Sequence, residues 1–178
     1  MPIEVLEKEC RWAFSRASGP GGQHRNKVET AVTVEHIPTG VHGMASEKRS
    51  QAENRLVAMH RLRCALAVAV RHNELRSNDL RQTDPMSGDN SRIPSEAWTS
   101  YTKAGRIRVS EANQHFPAIL SEALDALSEV DWEVSRAAVQ LHVSATQLVK
   151  LLGMYAPALE ELNRNLVARG RAPRSIKR

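Results

Sequence analysis

The 178-residue sequence is 41% hydrophobic and 25% charged, the balance of an ordinary globular protein, which excludes collagenous and low-complexity classes. Its 25 Lys and Arg against 20 Asp and Glu leave a net charge of +5, which permits a nucleic-acid partner without demanding one. No run of ~18 apolar residues is present to span a membrane, Cys10 and Cys64 suggest no disulfide framework, and Met1-Pro2-Ile3-Glu4 lacks the basic start of a secretory signal, so a reduced, cytoplasmic protein is expected.

Residues 10–15, Cys-Arg-Trp-Ala-Phe-Ser, set Trp12 and Phe14 against polar neighbours with the period of a half-buried strand. A glycine-rich turn follows at Gly19-Pro20-Gly21-Gly22. Residues 31–37 alternate again and are β-branched, Pro38-Thr39-Gly40 reads as a turn, and Val41 to Met44 predicts a short returning strand. Ser46 is the expected cap of a helix reaching about Arg71, with Ala52, Leu56, Met59, Leu62, Leu66 and Val70 as its apolar stripe. Strands followed by one long packing helix predict an α+β domain, a small antiparallel sheet on one helix, over residues 1–72.

Residues 73–95 hold Asp84-Pro85-Met86-Ser87-Gly88-Asp89, the composition of a flexible linker. A separate all-α module is expected over 96–168. Phe116, Ile119, Leu120, Ala123, Leu124 and Leu127 stripe its first helix; two short helices run from Trp132 to Leu141 and from Ala145 to Leu152; Pro157 opens the last. Residues 169–178 read as a basic tail. The run from Ala137 to Leu148 has helix-turn-helix spacing, with Val143-Ser144 as the turn. A DNA reader would place Arg, Asn or Gln on its second helix, where only Gln147 and Lys150 are available, which favours a structural or docking module. No internal repeat is present.

The most informative stretch is Gly19-Pro20-Gly21-Gly22-Gln23. Consecutive glycines cost conformational entropy and persist where backbone turns sharply or approaches a partner closely. Without Cβ atoms at 21 and 22 the chain can enter a narrow site and aim the Gln23 N–H at developing negative charge, a catalytic device needing no acid, base or metal. A purely structural glycine hairpin is the alternative that these five residues leave open.

The surroundings carry a resemblance. Ser18-Gly19-Pro20-Gly21-Gly22-Gln23-His24-Arg25-Asn26-Lys27-Val28-Glu29-Thr30-Ala31-Val32, then His36-Ile37-Pro38-Thr39-Gly40-Val41, then Arg49-Ser50-Gln51-Ala52-Glu53-Asn54, resemble in order and spacing the catalytic domain of class I peptide-chain release factors, over roughly residues 10–71. The resemblance implies a loop that enters the peptidyl-transferase centre of the large ribosomal subunit and hydrolyses the ester of P-site peptidyl-tRNA. The Gln23 backbone N–H would stabilise the transition state, its side-chain amide would admit water, and Gly21 and Gly22 would set the loop geometry. Ribosomal RNA and the tRNA ribose would supply the rest, so neither cofactor nor metal is expected. Gln23 is also a candidate for the methylation seen in such proteins. Arg16, Ser18, Gly19, Pro20, His24, Arg25, Asn26, Lys27, Arg49 and Arg55 become candidate RNA contacts, while His36 and His42 read as half-buried strand residues without metal-ligand spacing.

Full-length release factors are about twice this size, because further domains read the stop codon. The resemblance is therefore to the small codon-independent members that rescue stalled ribosomes. These often end in a long Lys/Arg-rich tail, here replaced by the helical region and a short basic end. Two other readings stay open: a non-catalytic ribosome or RNA adaptor, with residues 96–168 recruiting a second protein, and a helix-turn-helix DNA regulator. The oligomeric state is left open.

Overall fold

The computed structural model describes residues 3–16, 29–70 and 93–176. The chain divides into two compact units, Met1–Ala69 and Val70–Arg178.

In the first unit a short helix α1 (Ile3–Lys8) precedes strands β1 (Cys10–Ser15), β2 (Ala31–His36) and β3 (Val41–Ala45) and the long helix α2 (Gln51–Ala69). The sheet is antiparallel in the order β1-β2-β3, with Trp12 opposite Val34, Ser15 opposite Ala31 and Val34 opposite Gly43. β2 is central, so alternation shows most clearly there: Val32, Val34 and His36 are buried and the residues between them are not. One face of the sheet and α2 sandwich a core of Leu6, Val32, Val34, Ala45, Ala58, Met59 and Leu62. This is the expected α+β architecture, with α1 added; at six residues α1 is too short to show a helical period.

Gly43 lets β3 lie directly on α2. A Cβ there would fall on the Ala58 carbonyl oxygen and 2.6 Å from the Leu62 nitrogen, both backbone atoms that cannot swing aside.

The helix departs from expectation at its start. It begins at Gln51, not after Ser46, and the hydroxyl at its N-terminus is that of Ser50, which accepts from Glu53 N–H at 3.4 Å. Residues 46–50 form a loop instead, fastened by Glu47. The Arg61 guanidinium bonds both Glu47 carboxylate oxygens at 2.7 and 3.3 Å and also donates to the Met44 carbonyl at 2.7 Å. Burial pushes the Glu47 carboxyl up, but the backbone N–H groups of Ser46 and Glu47 together with Arg61 outweigh it and hold it below the usual range. Leu56 and Ala52 lie outside the core, Leu56 74% exposed; the row facing the sheet is Asn54, Ala58 and Leu62. Arg71, and all but the last three residues of the expected linker, lie outside the described residues.

The second unit has helices α3 (Glu96–Tyr101), α4 (Phe116–Glu129), α5 (Val134–Gln140), α6 (Ala145–Gly153) and α7 (Ala156–Ala168). Between α3 and α4 a hairpin of β4 (Thr102–Lys103) and β5 (Arg106–Ile107) turns through Ala104 and Gly105, both at positive φ, so the module is not wholly helical. All six residues of the expected α4 stripe are buried. Trp98 is fully buried in this core, and its indole N–H donates to the Leu141 carbonyl at 2.9 Å. Residues 169–176 fold back along the module. Arg169 and Arg171 pair with Asp131 at 2.6 and 3.2 Å, Asn163 bonds both backbone groups of Arg174, and Ile176 lies on Gly153.

Candidate functional site: the root of the glycine-rich loop

The chain from Ser18 to Lys27, with Gly21, Gly22 and Gln23, lies outside the described residues, but both ends of that loop are described. The outgoing limb leaves β1 at Ser15, paired with Ala31, and passes through the exposed Arg16. The returning limb re-enters at Glu29 and Thr30, where the start of α2 seizes it. Gln51 donates its side-chain amide to the Glu29 carbonyl at 2.8 Å. Asn54, fully buried, donates to the Thr30 carbonyl at 2.6 Å and to the Lys48 carbonyl at 3.0 Å, and its own oxygen accepts from Lys48 N–H at 2.9 Å.

One primary amide thus ties three chain segments together: the loop root, residues 46–50 and α2. Asn is suited to this because it carries two donors and an acceptor on a short, stiff stem. The physical content of the third sequence block, Arg49 to Asn54, is therefore a clamp, a role that apolar periodicity could not reveal because the residue in the core row is polar. Its signal in the sequence was a polar residue at the helical position four before Ala58.

Charge gathers at the same end. Arg16, Lys48 and Arg49 are exposed around the loop root, and no ion pair joins them to an acid among the described residues. Lys48 was not among the expected contacts. Arg55, which was, is already engaged: its guanidinium carbon stands 4.2 Å from the Trp12 ring centroid, and Glu7 is 3.8 Å away. Such a cation supports the sheet's flank and retains half its surface for a partner. His36 is more deeply buried than the half-buried strand position expected and braces the far end of the sheet, between Thr39 Oγ1 at 2.8 Å and Glu9 at 3.0 Å, while His42 is exposed. Burial, with Glu7 and Glu9 nearby, pushes the Cys10 thiol up, which leaves it a poor nucleophile. Among the described residues no His, Cys, Asp or Glu cluster is arranged to hold a metal ion, and no helix is long and apolar enough to cross a membrane.

In the helix-turn-helix segment, Val143 N–H bonds the Ala138 carbonyl and the Ser144 hydroxyl caps α6 through Gln147 N–H at 3.2 Å. The Gln147 side chain turns back to accept from Ile107 N–H at 3.4 Å, which leaves Lys150 as the exposed member of the two base-reading candidates.

Residues 1–112 match the family described as the RF-1 domain, which extends past the sequence resemblance through α3 and the β4–β5 hairpin. The chain is 33% identical over 128 residues to peptide chain release factor 2 of Thermomicrobium roseum, covering 71% of this chain and 34% of that protein. It is 36% identical over 138 residues to peptide chain release factor 1 of Leptospira biflexa, covering 72% and 38%. A chloroplastic peptide chain release factor of Arabidopsis thaliana is 44% identical over 80 residues, 45% of this chain and 17% of that one. The chain thus spans about a third of the length of the first two relatives.

Proposed function

From the membership of this chain in the class I peptide-chain release factor family, we propose that it frees nascent peptides on the ribosome by hydrolysing the ester of P-site peptidyl-tRNA. The observation that carries this reading is the family match over residues 1–112, which includes Gly21-Gly22-Gln23 and the clamp that roots their loop.

In this reading Gln23 supplies a backbone N–H to the transition state and its side-chain amide shapes access for water. Gly21 and Gly22 keep the tip free of Cβ atoms where ribosomal RNA would crowd it. Ester hydrolysis adds water across the acyl bond: the peptide leaves with a carboxylate and the tRNA ribose recovers its hydroxyl. An N–H fixed in advance costs no reorganisation when charge develops. Fixing it requires a rigid root, and the Asn54 and Gln51 bonds to Thr30 and Glu29 supply one. Arg16, Lys48 and Arg49, grouped at that root, would meet RNA phosphates and set the depth of entry; Ser18, Gly19, Pro20, His24, Arg25, Asn26 and Lys27 would line the loop itself.

The finer reading is release without a stop codon, on stalled ribosomes in the cytoplasm. The experiment is release of labelled peptide from purified ribosomes stalled at the 3′ end of a truncated mRNA, with a parallel set carrying a sense codon and intact downstream mRNA. Release by the wild type and its loss in Gly22→Ala, with ribosome binding retained, is the expected result. Equal release by Gly22→Ala would overturn the assignment of the tip, and no release by the wild type, with binding intact, would favour the adaptor.

A further inference from the structure

The β4–β5 hairpin carries a charge arrangement that the release reaction leaves unused. Lys103 stands directly opposite Arg106 in the ladder, and Arg108 N–H continues it by donating to the Tyr101 carbonyl at 2.8 Å. Side chains alternate across a ribbon, so Lys103, Arg106 and Arg108 share one face with Tyr101, while Thr102 and Ile107 share the other. The burial agrees: the three cations are exposed, and Thr102 and Ile107 are half-buried. The ribbon is held from behind, where Gln147 accepts from Ile107 N–H and Ser144 N–H donates to the Gly105 carbonyl at 3.4 Å. At the foot of the charged face the Tyr101 ring lies 5.8 Å from that of His115.

Like charges directly opposite one another destabilise a strand pair. Here two meet on a two-residue ladder, a third follows, and no ion pair among the described residues relieves any of them. A partner that brings negative charge at regular spacing removes the repulsion and turns it into affinity.

We propose that this ribbon face binds the phosphate backbone of RNA, as a second contact surface of the chain, seated on the unit that does not carry the Gly-Gly-Gln loop. RNA is favoured over an acidic protein because the family match that brings the chain to the ribosome runs through the hairpin to residue 112. The Tyr101 and His115 rings at its foot, tilted 37° to each other, also offer ring faces of the kind on which bases stack. The inference rests on the ribosomal reading for the source of the RNA, and on nothing in the release chemistry.

The test is equilibrium binding of the full chain to purified large ribosomal subunits over a range of KCl concentrations. Wild type is compared with the triple substitution Lys103→Ala, Arg106→Ala, Arg108→Ala, and with the charge-conserving Lys103→Arg, Arg106→Lys, Arg108→Lys. Each phosphate contact contributes roughly 0.7–0.9 to the slope of log affinity against log salt, so loss of three flattens the slope by about 2–3. The charge-conserving variant keeps the wild-type slope and serves as the control for folding. An unchanged slope in the alanine variant overturns the proposal. So does a wild type with no salt-dependent binding to the subunits, or loss of an acidic protein partner alone. Peptide release is measured on the same wild-type sample: binding with the predicted slope change but no release separates failure of the hydrolase reading from failure of this surface.

Discussion

Replacing Asn54 by Ala removes the side chain that closes the loop root. Three hydrogen bonds go: to the Thr30 carbonyl at 2.6 Å, to the Lys48 carbonyl at 3.0 Å and from Lys48 N–H at 2.9 Å. Thr30 is buried, so its carbonyl finds no water in exchange and carries the full cost of an unmet acceptor, about 1–3 kcal/mol. The Lys48 groups lie nearer solvent and each gives up only the net value of a hydrogen bond, about 1 kcal/mol. Together these come to about 3–5 kcal/mol. The loss is read from hydrogen exchange of the Val32 and Val34 amides in the central strand, which report the opening of this unit separately from the helical one. Protection there should fall by more than about a hundredfold, since each 1.4 kcal/mol is roughly a factor of ten. Gln51→Ala, which removes one exposed bond to Glu29, should cost below about 1 kcal/mol and leave the strand protected. A change below about fivefold in Asn54→Ala would refute the idea that this amide organises the loop root.

Gly43→Ala should destabilise the first unit by about 3 kcal/mol, because its Cβ meets backbone of α2; an unfolding midpoint within error of wild type would contradict that packing. Trp98→Phe leaves the Leu141 carbonyl without its indole donor and should cost the second unit about 2–3 kcal/mol in denaturant unfolding. Asp131, held below its usual range first by the Arg169 hydrogen bond and then by the charges of Arg169 and Arg171, should tie down the terminal segment at neutral pH. A carboxyl depressed in the folded state stabilises above its unfolded pKa and loses that contribution as pH falls through the folded one. Side-chain NMR of Arg169 should therefore show its ion pair with Asp131 breaking only in acid, below the ordinary aspartate range, and missing at every pH in Asp131→Asn.

The parts of the fold legible in the sequence are those where burial follows a simple period. β1 and β2 pair as strands because Trp12, Val32 and Val34 fall on one face, and all six apolar residues expected on α4 are buried there. At α2 the expected Met59 and Leu62 are in the core and Leu66 packs against it, but the reading failed over the first turns, for the reason that makes α2 interesting. Apolar periodicity selected Leu56, whereas the row against the sheet runs through Asn54, whose partners are main-chain atoms distant in sequence. The hairpin escaped because two-residue strands fall below any period; its trace in the sequence was the Ala104-Gly105 pair between Lys103 and Arg106. At the glycine-rich loop the motif was legible in the sequence. Gly21-Gly22-Gln23 points to the proposed reaction only through family likeness, while the clamp at the loop root is a matter of hydrogen bonds that no residue pattern announces.

The folded-back segment 169–176 changes what its arginines can do. Eight residues released as free chain would sweep a radius of roughly 26–29 Å, at ~3.3–3.6 Å each, searching for anionic surfaces by diffusion. Pinned at Asp131, Asn163 and Gly153, the same segment has almost no radius to sweep. Its charge then belongs to the outline of the helical unit: Arg169 and Arg171 stay beside the Asp131 turn, and whatever meets them must match their fixed positions.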